Sequence, residues 1–585
     1  MAEDLVVGMV GSGGDGVVSA GESLLTAASS QGFHAVMTKS FGSQIRGGES
    51  SCRVRISRRK VLNPGGVLDV AVALNWEDFR RFGAELPLGP ETVLIHEAKV
   101  GPPPSDLAPP GRQPRQVFSV PLAELAKSAA GTDRAKTTVV LGVISGWFGV
   151  PAEALDRGLR KKFAQKGEGL LEANRKALAA GIAHAAQHPL EAPRGLEKPA
   201  APTPKLLCDG NEMCASGAIF SGCEFFGGYP ITPSTEVMQI LSRELPRYGG
   251  VVLQAEDEIS GVGSAVGASF AGKKAMTATS GPGMSLKTEI LGLASIAELP
   301  LVLLNVQRGG PSTGIPTKPE QADLFQAAFS AHGDVLRPVL APTTVEDTFR
   351  LTVEAFNLAE RYQTPVILLS DQEIAQRKET VDPIDTSGLE VIERLRPTPE
   401  QLSQGYQRFA ETPSGVSPLS HPGMPGGNYL AAGIEHDVKG APTASGALHA
   451  AMNAKRFRKL APLRERRDLF EQEGPEDAPL ALVSWGSSAG VAREAFALAR
   501  ARGMRVKLLV PYLLYPVAEP VYREFFASVR RGLVLELSHQ GQLYRILRMF
   551  LDLPPGLASF ARSGAQPFRA DEVVARLAEQ AEGGR

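Results

Sequence analysis

Cysteine is scarce in this chain: four occur in 585 residues, at Cys52, Cys208, Cys214 and Cys223. That is too few for a disulfide framework in a chain of this length. Three of the four fall close together, but no C-x-x-C element occurs, and ferredoxin-like clusters use tightly spaced cysteines with a fourth to complete the set. Packed thiols are therefore expected. Also missing is any apolar run of the roughly eighteen residues that a membrane span requires. The opening Met1-Ala2-Glu3-Asp4 is acidic where a signal peptide is basic, so the expected location is the cytoplasm. Neither sign of charge is in excess, since 62 basic and 63 acidic residues give a formal net charge of -1. No broad basic field exists to recruit nucleic acid or an anionic membrane, which leaves small molecules and protein partners.

What is present is globular: 43% of residues are apolar and 21% charged, in a chain long enough for about three or four cores. The strand signal Leu5 to Val10 runs into a glycine-rich turn and then a helical stretch to Gln31. Strand signals near Val67 to Leu74 and Thr92 to Ile95, and a helical pattern from Leu170 to Gln187, complete a first domain over 1–187. Residues 188–204 carry five prolines in seventeen and read as an extended linker. Over 205–382 helix and strand patterns alternate: a helix from Glu258 to Gly272, a strand from Lys274 to Thr279, a helix after Gly283 and a strand from Pro300 to Val306. Such alternation predicts a mostly parallel sheet covered on both faces. Residues 383–477 lack a long period and are expected to be irregular. Pattern returns over 478–585 with a strand from Leu480 to Ser484, a helix to Arg502 and strands near Val506 to Val510 and Leu533 to Glu536. The expected class is multidomain α/β.

In the first domain Gly11, Gly13, Gly14 and Gly16 form G-x-G-x-x-G between strand and helix, where backbone amides and a helix N-terminus approach a phosphate. A dinucleotide site also wants an acid about twenty residues on to hold a ribose, and none occurs between Glu22 and Glu49. That counts against a stand-alone nucleotide-dependent dehydrogenase. The turn either has no ligand or takes a phosphate-bearing one such as coenzyme A. Thr38 to Ser50 lacks an amphipathic period and reads either as a loop shaped for a partner or a ligand, with Arg46 in it, or as a loop whose Lys39 and Arg46 are solvated surface charges.

The second domain holds a denser set. In Gly228-Tyr229-Pro230-Ile231-Thr232-Pro233-Ser234 two prolines fix φ around a threonine. Glu256-Asp257-Glu258 opens a helix rich in small residues, which lets a backbone or a flat ring come close. Thr279-Ser280-Gly281-Pro282-Gly283 and Arg308-Gly309-Gly310-Pro311-Ser312 each follow a strand. Ligands of open parallel sheets bind outside the carboxyl ends of the strands, so Thr232, Glu258, Ser280 and Arg308 are expected to share one site. The planar fork of an arginine suits a substrate carboxylate there.

These motifs, in this order, resemble the alpha subunit of 2-oxoacid:ferredoxin oxidoreductases. The first domain is similar to the gamma domain that many members carry fused in front. Trp485-Gly486-Ser487-Ser488 and Glu536-Leu537-Ser538-His539-Gln540-Gly541-Gln542-Leu543 resemble the transketolase C-terminal-like domain of the same subunit. The resemblance implies a doubly wound pyrimidine-type domain over 205–382 that supplies half of a thiamine diphosphate site. Tyr229, Pro230, Ile231 and Ser280 would line it, and Glu258 would hydrogen-bond the ring nitrogen of the aminopyrimidine. Thr232 and Arg308 match substrate-contacting positions.

No metal-binding element is expected here, because Gly14-Asp15-Gly16 lacks a following asparagine before Asn63 and lies in the wrong domain. Magnesium and a [4Fe-4S] cluster are thus implied on a beta subunit, in a heterotetramer. Ferredoxin is the implied acceptor, and coenzyme A and a 2-oxo acid are the implied co-substrates. The fused arrangement leans toward 2-oxoglutarate over pyruvate and branched-chain or aryl oxo acids. The competing reading is a non-catalytic scaffold of the same fold, against which intact Thr232, Glu258 and Arg308 argue.

Overall fold

The computed structural model describes residues 3–42, 48–83, 85–192, 194–199 and 202–582. The chain divides into two compact units, Met1–Cys208 with Arg377–Ile384, and Asp209–Gln376 with Asp385–Arg585. The sequence put its first boundary in the proline-rich linker. In the structure the strand Leu206–Cys208 beyond that linker, and the strand Lys378–Val381, both complete the sheet of the first unit.

That sheet has eight strands. Asp4–Gly11, Val70–Ala73, Val93–Glu97 and Gln116–Val120 run parallel to their neighbours. Ser50–Ser57 and His34–Phe41 extend the other side antiparallel. The apolar strand Asp4–Gly11 is buried along almost its whole length, and the helices Val17–Ser30, Lys136–Phe148 and Glu168–Gln187 contribute to the same core. One expectation is corrected here. Of the loop expected over Thr38 to Ser50, Thr38 to Phe41 lie in the strand His34–Phe41, Phe41 pairs with Ser50, and the Gly42 amide donates to the Glu49 carbonyl at 3.0 Å, while residues 43–47 lie outside the described residues.

In the second unit seven strands take the order Leu513–Tyr515, Val339–Leu340, Pro365–Asp371, Leu301–Gln307, Ala275–Thr279, Phe225–Gly228 and Val251–Gln254. All pairs but the first are parallel. Fully buried Val366, Ile367, Leu368 and Leu369 show why a continuous apolar run forms a central strand with both faces covered. The helix Val345–Tyr362 starts at Thr344, whose hydroxyl accepts from the Asp347 amide, and Asp209 with Glu212 builds a capping box before Gly210–Phe220.

The last part of the chain forms a five-stranded sheet, mostly parallel, around Leu480–Ser484. The segment expected to be irregular also contains the helix Gly446–Arg458. Its two buried residues are Met452 and Lys455, so an apolar period was never there to read. Cys52, Cys214 and Cys223 are buried free thiols and Cys208 is half-buried. Burial pushes the first three up to about 12, which makes them unreactive packing groups. No helix among the described residues is long and apolar enough to cross a membrane.

Candidate functional site

The second unit brings its motif residues to one edge. The strands Leu301–Gln307, Ala275–Thr279, Phe225–Gly228 and Val251–Gln254 are neighbours and parallel, so the loops leaving their carboxyl ends share a side of the sheet. Those loops carry Arg308, Ser280, Tyr229 to Thr232 and Glu258.

Glu258 is the first residue of the helix Glu258–Phe270, capped by the Asp257 carboxylate, which accepts from the Ser260 amide at 2.7 Å. It is 8% exposed. Two glycines set its place. A β-carbon on Gly261 would stand 3.1 Å from the Gly228 α-carbon, so the small residue draws the helix onto the strand end. A β-carbon on Gly283 would stand 2.7 Å from Cγ of Glu258 and 2.1 Å from Oγ1 of Thr279. The glutamate side chain therefore fills the space that glycine leaves above the first turn of the helix Gly281–Ile296. Its two neighbours in the acidic run, Glu256 and Asp257, are exposed.

Ser280 caps that second helix by position only. Its side chain makes no capping bond, and its buried Oγ has no partner. Arg308 is 7% exposed. Its Nη1 donates to the carbonyl oxygen of Thr232, which ties the proline-flanked loop to the end of the strand Leu301–Gln307, one strand beyond its neighbour Ala275–Thr279, while its buried Nε has no partner. Burial lowers the pKa of this guanidinium, and Asp323 opposes the shift. Thr232 thus meets Arg308 through its backbone carbonyl. Tyr229 is exposed, and Pro230 and Ile231 are half-buried.

Sequence reasoning missed two charged residues behind this edge. Asp323 accepts from the Asn305 side-chain amide at 3.1 Å, its own amide donates to Oε1 of Gln307 at 3.0 Å, and burial pushes its carboxyl up to about 6. Lys287 is fully buried, and its Nζ donates to the Glu258 carbonyl at 2.8 Å and to Oγ1 of Thr277 at 3.3 Å. A single aspartate or lysine in a helical or loop pattern carries no sequence signal, because its partners are set by the fold.

In the first unit Gly11 ends its strand buried, Gly13 and Gly14 are exposed, and Gly16 caps the helix Val17–Ser30 with φ 82 and no side-chain cap. Arg46 lies outside the described residues. A cavity of about 440 Å³ is lined by Gly14, Gly16, Arg134, Thr137, Lys162 and Lys166, among others. It adjoins the N-termini of Val17–Ser30 and Lys136–Phe148, neither of which has a side-chain cap. Helix N-termini without side-chain caps, beside three basic side chains, suit a phosphate. Among the described residues no group of three or more His, Cys, Asp or Glu is placed to hold a metal ion.

Comparison with known proteins gives the chain's relatives. A family model described as "Pyruvate flavodoxin/ferredoxin oxidoreductase, thiamine diP-bdg" matches residues 216–455, and one described as "Pyruvate ferredoxin/flavodoxin oxidoreductase" matches residues 6–184. The chain is 34% identical over 541 residues to a 2-oxoglutarate oxidoreductase subunit KorA of Mycobacterium tuberculosis, covering 86% of this chain and 81% of the relative. It is 38% identical to a 2-oxoglutarate synthase subunit KorA of Methanothermobacter thermautotrophicus, over 64% of this chain and 98% of that one. A solved 2-oxoglutarate:ferredoxin oxidoreductase from Magnetococcus marinus, with 2-oxoglutarate, coenzyme A and succinyl-CoA bound, is 36% identical with a TM-score of 0.93. That match covers 99% of this chain and 100% of the other.

Proposed function

Because this chain belongs to the 2-oxoacid:ferredoxin oxidoreductase family, as an alpha subunit with a gamma-type region in the same chain, we propose that it oxidatively decarboxylates 2-oxoglutarate. Coenzyme A accepts the product as succinyl-CoA, and two electrons pass to ferredoxin through a separate beta subunit. The names of its relatives support this substrate over pyruvate and the branched-chain and aryl oxo acids. On this reading 1–187 is the gamma domain, 205–382 the pyrimidine-type domain and 478–585 the transketolase C-terminal-like domain, joined by the linker 188–204 and the connecting segment 383–477.

The strand edge fits thiamine diphosphate by two observations. Gly261 lets the glutamate helix close onto Gly228 and Gly283 leaves room for the Glu258 side chain, and the buried Oγ of Ser280 lacks a partner. Tyr229, Pro230, Ile231 and Ser280 would line the ring, with Glu258 on its ring nitrogen. When bound, the cofactor supplies the carbon nucleophile and the sink for the electron pair released with carbon dioxide. Glu258 shares a proton with the ring nitrogen, and its burial keeps water from competing for that proton. Arg308 receives the oxo acid's carboxylate. Its partnerless Nε is desolvated, and a charge-assisted hydrogen bond there is stronger than in water. The Thr232 carbonyl holds the guanidinium plane, and the Thr232 side chain borders the same substrate. Arg308 is the observation that carries the reading, because a buried guanidinium nitrogen without a partner is costly until a ligand satisfies it.

The basic cavity of the first unit, with Gly14 and Gly16, is the proposed seat for the phosphates of coenzyme A, while Gly11 and Gly13 shape the turn. Magnesium and a [4Fe-4S] cluster belong to the beta subunit, and two copies of each chain make the working enzyme in the cytoplasm. The test is reduction of a viologen dye by this chain reconstituted with its beta subunit, dependent on an oxo acid and on coenzyme A. Activity with 2-oxoglutarate should fall by about 10²- to 10⁴-fold in Glu258→Ala. A reconstituted wild type that holds cofactor and clusters yet reduces nothing with any oxo acid returns the scaffold reading.

A further inference from the structure

The least explained charge in the second unit is Lys287. It sits on the helix Gly281–Ile296, fully buried, with its ammonium held by the Glu258 carbonyl and by Oγ1 of Thr277. Thr277 is itself fully buried, in the strand Ala275–Thr279. A methionine or leucine would fill such a position with no desolvation cost, whereas a buried ammonium carries a large one. Two neutral oxygens offset only part of that cost. The nearby carboxylates that favour the charged form are Glu258 and Asp257, and against them desolvation brings the lysine down to about 8. The charge is thus retained beside one residue, the first of the glutamate helix.

We propose that Lys287 is a positioning residue for Glu258, clamping its main chain from beneath so that its carboxyl is held in place. The inference rests on the reading of Glu258 as the carboxyl that meets the cofactor's ring nitrogen. Clamping follows from geometry. The Glu258 carbonyl is fixed by the ammonium, and its Cγ is fixed by the gap over Gly283, so root and stem of the side chain are both set before any ligand arrives. No bond is made or broken by Lys287, and it touches neither cofactor nor substrate.

The experiment uses the complex with the beta subunit, loaded with thiamine diphosphate, and compares wild type, Lys287→Met, Lys287→Gln and Glu258→Ala. Near-ultraviolet circular dichroism separates bound aminopyrimidine with a protonated ring from that with a neutral ring. At neutral pH, both Lys287 variants should show the protonated fraction reduced several-fold relative to the neutral one, because a carboxyl no longer held in place meets the ring nitrogen less well. They should also lower kcat with little change in KM for the oxo acid. Lys287→Gln keeps a hydrogen-bond donor and guards against a variant that fails to fold. Wild-type spectra and a wild-type kcat in a folded, cofactor-loaded Lys287→Gln or Lys287→Met would overturn the proposal. If Glu258→Ala shifts the spectrum while the lysine variants do not, only the inference about Lys287 fails. If Glu258→Ala leaves the spectrum as it was, the assignment of Glu258 fails, and Lys287 with it.

Discussion

Glu298 and Arg308 stand ten residues apart in the second unit, both desolvated, and differ in how their charge is met. Glu298 is 1% exposed and accepts from Lys455 at 2.6 Å and from Lys459 at 3.1 Å, while Arg408 donates to its carbonyl at 2.7 Å. Burial pushes its carboxyl up, but Lys459, Lys455 and Arg408 outweigh burial and hold it well below the ordinary carboxylate range. The cluster even sustains a φ of 53 at Glu298, a left-handed conformation that a non-glycine residue adopts at a cost. Arg308 has no such closure, with one nitrogen on a carbonyl, one without a partner, and a nearby aspartate that burial pushes toward its neutral form. Charges that hold the connecting segment to the sheet are completed within the chain, whereas charges at the strand edge are left for a ligand to complete.

Breaking the closed cluster should have the largest effect. Glu298→Gln leaves Lys455 and Lys459 buried without their counter-charge, a loss of about 3–5 kcal/mol, seen as a steep drop in the thermal midpoint. Adding Lys455→Met should restore part of it. The carboxyl's contribution is complete above the ordinary carboxylate range and is lost only in strong acid, as pH falls through its depressed pKa. A Glu298→Gln chain as stable as wild type would mean that the cluster is not closed in solution.

The open edge should respond in function instead. In Arg308→Lys the charge stays, but one ammonium cannot bond the Thr232 carbonyl and also present a planar donor pair to a carboxylate. The expected loss is roughly a hundredfold in kcat/KM for 2-oxoglutarate, about 2.7 kcal/mol, carried mainly by KM and with the thermal midpoint held. A fall in kcat alone would move Arg308 from substrate binding to a role in the reaction step.

The same contrast explains what was legible in the sequence. Leu480–Ser484 was read to the residue, because an apolar run ends at Trp485-Gly486. The helix at Glu258 was found from its acidic start and small residues. The strand Ser50–Ser57 was not, although Cys52, Val54 and Ile56 alternate with Ser51, Arg53, Arg55 and Ser57, because the two arginines that look like a solvated face are buried with the apolar residues. The helix Gly446–Arg458 was missed for a similar reason, with a buried lysine on its inner face. At the site, Thr232, Glu258, Ser280 and Arg308 stand in motifs that follow strands, so topology alone gathers them. Lys287 and Asp323 reach the site through backbone atoms and amides of distant segments, a relation that no local pattern encodes.

Asp323 gives the smallest and most discriminating effect. Its carboxyl lies near 6 where an unfolded chain would hold it near 3.8, so the folded state binds more protons between those values. Stability from this group is complete below the lower value and is lost as pH rises through the upper one. Asp323→Asn keeps an acceptor for the Asn305 amide and removes the charge. Its thermal midpoint should match wild type at pH 4 and exceed it at pH 7. The gain should be about 1 kcal/mol, since a pKa unit is worth about 1.4 kcal/mol and relaxation takes up part of the shift. If the variant also weakens binding of the oxo acid, the aspartate's residual charge is what orients Arg308, and the edge is half closed from within. If binding is untouched, the guanidinium stands ready for substrate with only Thr232 behind it.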